Sequence, residues 1–308
     1  MIDIAKKTVK LSGGASVNYE RAVVSPGIDF KYDALPGITE SDTGMIPHAW
    51  KAGEQTWLLQ NQLKVMPDGG TFLLVSPPDP FRCPPGPYER ASMVAWYLKQ
   101  NKPKSKIIIL DQKDKFSKQA LFMDGWAAEY GEMIEWRGKG AGGTISAIDV
   151  KNKTVETELG EEKGDRAGKI AVQSGLANAA GWCPVNPLTF KSAQAKDIYV
   201  IGDAAVASEM PKSGFSANSQ GKIVAAGIVR ELAGKEPIPA KLANTCYSLI
   251  APDYGISVAA VYEPNEKNVA AVKDSGGLSP KTADRSVRKQ EAVYAEAWYQ
   301  AITKDMFS

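Results

Sequence analysis

Between Gly69 and Asp111 the chain alternates two short apolar runs with one helix-length stretch, and this alternation limits the fold more than any other feature. Residues 71–75 and 106–110 read as buried strands, and residues 88–100 between them carry helical spacing. A connection of that length returns the chain parallel to its first strand, which a tight turn cannot do. Residues 70–111 are therefore expected to form half of a nucleotide-binding-type α/β fold.

Other segments extend this reading. Residues 8–11 and 21–24 are expected to pair as a hairpin about Gly13 and Gly14, and a helix is expected over 49–60. A weak β region covers 144–157 and a charged turn covers 160–165. A buried strand at 197–201 precedes a helix over 216–232, which Ser216 or Asn218 could cap. The proline-rich stretch 237–239 sets off a last α+β unit.

Composition removes several function classes. With 44% hydrophobic residues, 308 residues suffice for about two domains with real cores. The 37 basic and 35 acidic side chains nearly cancel, with no basic run interleaved with aromatics, so a nucleic-acid surface is not expected. The longest apolar run, 249–261, is interrupted by Pro252, Asp253, Tyr254 and Gly255, so no membrane span is expected. Residues 1–7 lack the order of a secretory signal. Cys83, Cys183 and Cys246 are too few and too scattered for a disulfide scaffold, a zinc knuckle or a haem-attachment motif.

Four features could carry chemistry. The string Gly138-Lys139-Gly140-Ala141-Gly142-Gly143 spells a dinucleotide fingerprint, but no convincing strand precedes it and no helix follows, so it is read as a loop. The position after strand 71–75 holds a loop with six prolines, poor in the N–H donors that phosphate binding needs. That loop presents Cys83 just before the helix bearing Glu89 and Arg90. The helix dipole and Arg82 would favour a thiolate there, although a small buried side chain is an equal alternative. Asp203 follows the strand 197–201 and Gly202, a place suited to a ribityl or ribose hydroxyl, or simply to a capped turn. The segment Pro211 to Gly221 enters a helix of small residues whose first amides suit the anionic edge of a reduced flavin. His48 is read as packing or capping. Tyr294, Trp298 and Tyr299 are most simply core, though one could cover a ring.

The strings Phe81-Arg82-Cys83-Pro84-Pro85-Gly86-Pro87-Tyr88-Glu89-Arg90-Ala91, Val200-Ile201-Gly202-Asp203-Ala204, Met210-Pro211-Lys212-Ser213-Gly214-Phe215-Ser216-Ala217-Asn218-Ser219-Gln220 and Asn244-Thr245-Cys246-Tyr247-Ser248 together resemble the flavoprotein subunit of flavocytochrome c sulfide dehydrogenase, from about residue 8 onward. The resemblance implies a glutathione-reductase-like FAD/NAD(P)-binding fold with two Rossmann-like domains and an α+β C-terminal domain. Residues 1–35 and 161–236 would belong to the FAD domain, 36–160 to the central domain, and 237–308 to the C-terminal interface domain. It implies FAD as cofactor, hydrosulfide as substrate, a c-type cytochrome subunit as partner in a heterodimer, and a periplasmic location.

The same resemblance assigns residues. Cys83 and Cys246 would form the redox-active disulfide above the flavin, with Glu89 as a nearby proton carrier. Gly202 and Asp203 would hold the ribityl chain, and Lys212, Ser213, Gly214, Phe215, Ser216, Asn218 and Gln220 would lie at the isoalloxazine. Trp298 would shield the ring, and Cys183, which also fits the family, has no redox role assigned to it. Relative to the family pattern, the FAD domain is expected to be incomplete, lacking the first strand with its glycine loop, a few residues after Gly131, and an apolar strand around 162–166. A sulfide:quinone or other pyridine nucleotide-disulfide oxidoreductase is the rival enzyme reading. An inactive fragment or cytochrome-docking module is the rival of another class.

Overall fold

The parallel unit read from residues 70–111 is present and gains a third strand. The structure, a computed structural model, describes residues 1–48, 50–157, 166–238 and 240–308. Among them run six α-helices: α1 (Glu54–Val65), α2 (Gly86–Asn101), α3 (Gln119–Tyr130), α4 (Lys169–Gln173), α5 (Gly214–Leu232) and α6 (Arg285–Phe307). Strands Thr71–Ser76, Lys106–Asp111 and Ile134–Arg137 lie side by side in parallel. The helix α2 turns Tyr88, Ala91, Ala95 and Leu98 inward at three- and four-residue spacing, and α3 turns Phe122, Trp126 and Tyr130 inward. Both faces pack with Ile107 and Ile109 in one core.

The chain over 119–137 therefore contains a helix and a strand that periodicity did not reveal. The glycine string at 138–143 does follow a strand, contrary to expectation. It leads into a 3-10 turn, Lys139–Ala141, and not into a helix. A Cβ on Gly143 would lie 2.0 Å from the Arg137 carbonyl oxygen and 2.6 Å from that of Asp111. Glycine is thus needed there for close backbone packing. The acid ending the second strand, Asp111, is fully buried and bonded to Tyr88 Oη (2.5 Å), Trp136 Nε1 (2.9 Å) and Lys113 Nζ (2.6 Å).

The expected hairpin is rearranged. Strand Thr8–Lys10 pairs with Ser16–Asn18 across the Gly13, Gly14 turn, where Gly14 has φ +87°. Strand Ala22–Val24 pairs in parallel with Ile198–Val200 instead. Burial decides this: Val24 and Val200 share a core with Ile28, Ala171, Leu176 and Ala204, which a surface hairpin could not offer. Arg21 fixes the register, meeting Asp197 at 3.2 Å and Glu231 on α5 at 3.0 Å. The helix expected over 49–60 begins at Glu54, after Gly53 at φ +116°, and Ala49 lies outside the described residues. The weak β region over 144–157 narrows to one small hairpin, Ala147–Asp149 with Thr154–Glu156. The charged turn over 160–165 also lies outside the described residues, as do Pro239 and most of 162–166. Arg166 itself belongs to a short strand, Arg166–Ala167, paired with Ile28–Asp29.

The C-terminal unit is a long antiparallel hairpin, Leu242–Ala251 with Tyr254–Pro264, crossed by α6. Gly255 makes that crossing possible, since a Cβ there would stand 2.4 Å from Ala292 N and 2.5 Å from Glu291 C. No helix among the described residues is long and apolar enough to cross a membrane. Because both obstacles at Gly255 are backbone atoms, Gly255→Ala should force α6 off the hairpin. We expect a loss of about 1–3 kcal/mol of stability in urea unfolding, the usual range for overpacking; an unchanged midpoint would contradict this contact.

Candidate active site

The loop between strand Thr71–Ser76 and α2 delivers Cys83. Phe81 anchors the loop in the interior, and Cys83 takes φ +55°, a left-handed conformation that a side chain adopts only under constraint. The constraint is visible: Cys83 N donates to the Lys212 carbonyl (3.2 Å), and the Cys83 carbonyl accepts from Gly86 N (2.8 Å) as α2 opens. A Cβ on Gly86 would meet the Cys83 sulfur at 3.3 Å and the Trp50 ring at 2.8 Å, so the bare glycine leaves room for the thiol.

Three further groups act on that sulfur, two of them from distant segments. Cys246 lies in strand Leu242–Ala251, opposite Val258. Glu89, one turn into α2, accepts a hydrogen bond from Leu249 N (2.8 Å). Lys118 stands at the N-terminal cap of α3 with φ +61° and only 5% exposure, and its Nζ donates to the Cys246 carbonyl (2.9 Å) and to Ser248 Oγ (2.8 Å).

Electrostatics tie the four together. Burial pushes the Cys83 thiol up to about 12; Cys246 and Glu89 add to the rise, while Arg82 and Lys118 oppose it. Burial also raises the Cys246 thiol, against Lys118 and with Glu89. It raises the Glu89 carboxyl, against the Leu249 amide, Lys118 and Arg90. It lowers Lys118, against the negative charge of Cys246, Glu89 and Cys83. Of the two readings left open for Cys83, the protonated thiol is favoured over the thiolate, since desolvation outweighs Arg82 and the helix terminus. The expected Cys83–Cys246 bridge is not formed here, for all three cysteines are free. Cys183 is fully buried beside Ala205 and Lys212, away from this group. Lys118 was not anticipated; a lone lysine before an unrecognised helix belongs to no motif.

The second half of the site is the turn after strand Ile198–Val200. Gly202 has φ +72°, and a Cβ there would touch Ser25 Oγ at 3.0 Å and Ala217 at 3.3 Å. Its amide donates to Gln220 Oε1 (2.8 Å), locking the turn to α5. The Asp203 carboxylate lies 4.0 Å from Arg82 Nε, beyond hydrogen-bond reach, and burial raises its pKa against Arg82 and Lys212. Lys212 Nζ donates to the carbonyls of Asp203 (2.7 Å) and Ala205 (3.0 Å) and sits 4.0 Å from the centre of the Trp182 ring.

The cap of α5 is Ser213, not Ser216 or Asn218. Its extended backbone lets Oγ accept from Ser216 N (3.1 Å), whereas Ser216 and Asn218 are already helical. Ser213 and Ser216 both donate to Asn244 Oδ1, at 2.6 and 3.2 Å. Asn218 donates to Asp305 on α6 (2.8 Å). Phe215 and Trp298 stack at 6.1 Å and 8°, with Tyr247 tilted against Trp298. Tyr294 and Tyr299 are 51% and 64% exposed, so neither is core. Gly214, at the first turn, is exposed and has no heavy atom within 4 Å of a would-be Cβ. His48 accepts from Trp50 N (3.0 Å) and packs on Phe30, a local capping role.

The Cys83 N to Lys212 O bond and the Arg82–Asp203 approach thus join two halves into one site. One half carries the thiols with Glu89 and Lys118. The other is a polar turn facing the start of a 19-residue helix.

Residues 56–170 match the family model for the central part of the sulfide dehydrogenase (flavocytochrome c) flavoprotein chain. Residues 238–307 match the flavin-binding model of flavocytochrome c sulphide dehydrogenase, and the two matches together cover more than half of the chain. Among solved structures, the ferredoxin reductase for the CYP199A2 system from Rhodopseudomonas palustris is similar, at a TM-score of 0.58 and 14% identity over 84% of this chain and 63% of its own. The covalent putidaredoxin reductase–putidaredoxin complex is similar at 0.56 and 17%, over 94% and 73%. A chain of the Tetrahymena thermophila mitochondrial ATP synthase is similar at 0.52 and 17%, over 83% and 67%. The chain therefore spans between 63% and 73% of the length of these solved chains.

The residues present fit a flavin cofactor: Asp203 offers a carboxylate that Arg82 Nε approaches only to 4.0 Å, and the exposed Gly214 leaves space beside the first turn of α5. The fold is an α/β FAD/NAD(P)-binding fold, the cofactor is FAD, and the chain belongs to the flavoprotein family of flavocytochrome c sulfide dehydrogenase.

Proposed function

We propose that the protein is the flavoprotein oxidoreductase subunit that oxidises hydrosulfide to polysulfide or sulfur and passes the electrons to a c-type cytochrome subunit in the periplasm. The observation that supports it most is the convergence of Cys83, Cys246 and a half-buried Glu89 beside the Asp203 turn. An oxidising compartment would keep the Cys83–Cys246 pair bridged between turnovers.

In this reading hydrosulfide attacks one sulfur of the bridge. A new S–S bond forms as a persulfide, the old one breaks, and the other cysteine leaves as a thiolate. A second hydrosulfide attacks the persulfide, releasing hydrodisulfide and leaving a thiol. That thiol and the thiolate close the bridge again with loss of one proton and two electrons. Glu89, whose burial favours its neutral carboxyl, takes and releases the proton beside the sulfurs. Asp203, Gly202 and the first turn of α5 would hold FAD, with Lys212, Ser213, Ser216 and Gln220 keeping that seat in shape and Phe215 and Trp298 walling it. FAD, when bound, supplies a two-electron acceptor that can release electrons singly, as a cytochrome requires.

Anaerobic addition of sulfide to the FAD-loaded protein should bleach the visible flavin band. Cys83→Ser and Cys246→Ser should each slow that bleaching by about a hundredfold or more, as expected on losing a covalent nucleophile or leaving group. Bleaching at the wild-type rate in either variant would overturn the proposal.

The reduced protein should also show a pH signature. Since the folded Cys83 thiol is raised to about 12, it stays protonated at a pH where an unfolded cysteine ionises. At pH 9 its alkylation by iodoacetamide should be about tenfold or more slower in the native protein than after unfolding, and should climb steadily toward pH 12. By linkage, stability should fall from about pH 8.5 upward as the unfolded thiol loses its proton first, and this fall should shrink in Cys83→Ser. Peptide mass spectrometry and urea titrations at several pH values read both effects.

A further inference from the structure

Lys118 is buried at a place where burial needs a reason. Its ammonium carries three N–H donors, yet among the described residues it bonds two neutral acceptors, the Cys246 carbonyl and Ser248 Oγ. These acceptors are two residues apart on one strand, so the lysine spans the backbone that carries Cys246. Lys118 has a left-handed backbone at the cap of α3, and its side chain reaches across to that strand. A desolvated cation held this way is costly unless negative charge arrives nearby.

The charged groups around it come from every element packed on the pocket. Glu89 comes from α2, Cys83 and Arg82 from the proline loop, Cys246 from its strand and Glu291 from α6. Glu291 is already engaged by Arg288 at 3.2 Å and by Ser257 Oγ at 2.9 Å. Glu89 is engaged by the Leu249 amide. Lys118 Nζ also lies 6.0 Å from the centre of the Phe122 ring, and among the negative groups that favour its charge Cys246, whose own carbonyl it holds, comes first, ahead of Glu89 and Cys83.

We infer that Lys118 is the positioning charge of the cysteine pocket, pinned to the Cys246 strand so that the anion formed when the bridge opens is held on the Cys246 side. For turnover this rests on the reaction proposed above. The charge effect itself is measurable without FAD or sulfide.

The test uses the reduced full chain, alkylated with iodoacetamide across pH, with Cys246 followed by peptide mass spectrometry. The readout is the pH midpoint of the rate curve, which accessibility alone does not move. Lys118→Met should move the Cys246 midpoint upward, with alkylation at pH 8 about tenfold slower, whereas Lys118→Arg should keep it near the wild-type value. A single loss of the cation leaves Glu89 buried without it, so folding of that variant is not assumed. The pair Glu89→Gln and Glu89→Gln/Lys118→Met carries the same comparison with no lone buried carboxylate. The double variant should show the higher midpoint.

Equal Cys246 midpoints with and without Lys118, in the pair as well as in the single variant, overturn the inference. A wild-type midpoint retained in Lys118→Met but not in Lys118→Arg overturns it too. A Lys118 effect that persists while sulfide fails to bleach the flavin would instead reject the proposed reaction and leave this charge assignment standing.

Discussion

One backbone hydrogen bond, from Cys83 N to the Lys212 carbonyl, joins the two halves of this molecule at the place where they must cooperate. On one side is a proline-stiffened loop leaving the parallel sheet; on the other is the entry to α5. The bond holds Cys83 in a left-handed backbone conformation and brings Arg82 to 4.0 Å from the Asp203 carboxylate. Two side-chain bonds reinforce it, from Ser213 and Ser216 at the head of α5 to Asn244 on the strand that carries Cys246.

The chemistry around the sulfurs is set by desolvation more than by neighbouring charge. The proximity of Arg82 and a helix terminus suggested a ready thiolate at Cys83. In the folded chain burial outweighs them, and the thiol moves the other way. A pocket whose desolvation raises both thiols and the Glu89 carboxyl is poorly suited to free-thiolate attack. It suits a bridged pair, whose sulfurs need no deprotonation before they react.

Much of this was legible in the chain because period-two and period-3.6 patterns are strong where strands are fully buried and helices are one-sided. Residues 71–111 and 197–232 were read within a few positions of their elements. The partner of strand Ala22–Val24 was not legible, since it lies at residues 198–200 and nothing local encodes a pairing over that separation. The helix α3 escaped for a different reason: it is apolar on nearly every side, so it has no stripe to detect. In the site, Cys83, Glu89 and Asp203 announce themselves by sitting at element ends. Lys118 also sits at an element end, but that of a helix the sequence pattern does not reveal, and its partners lie on a strand far along the chain. Ser213 was displaced as a cap by its successors in the reading because all three are small polar residues, and only the backbone angle tells which stands outside the helix.

The bare backbone contact at Gly255 reaches further than the stability of one hairpin. It seats α6 directly on the ribbon that carries Cys246, and α6 in turn carries Trp298 and Asp305, which touch Phe215 and Asn218 at the head of α5. Sulfur, aromatic screen and helix entry are therefore mounted on a common chassis. A shift of the terminal helix would act on all three contacts at once.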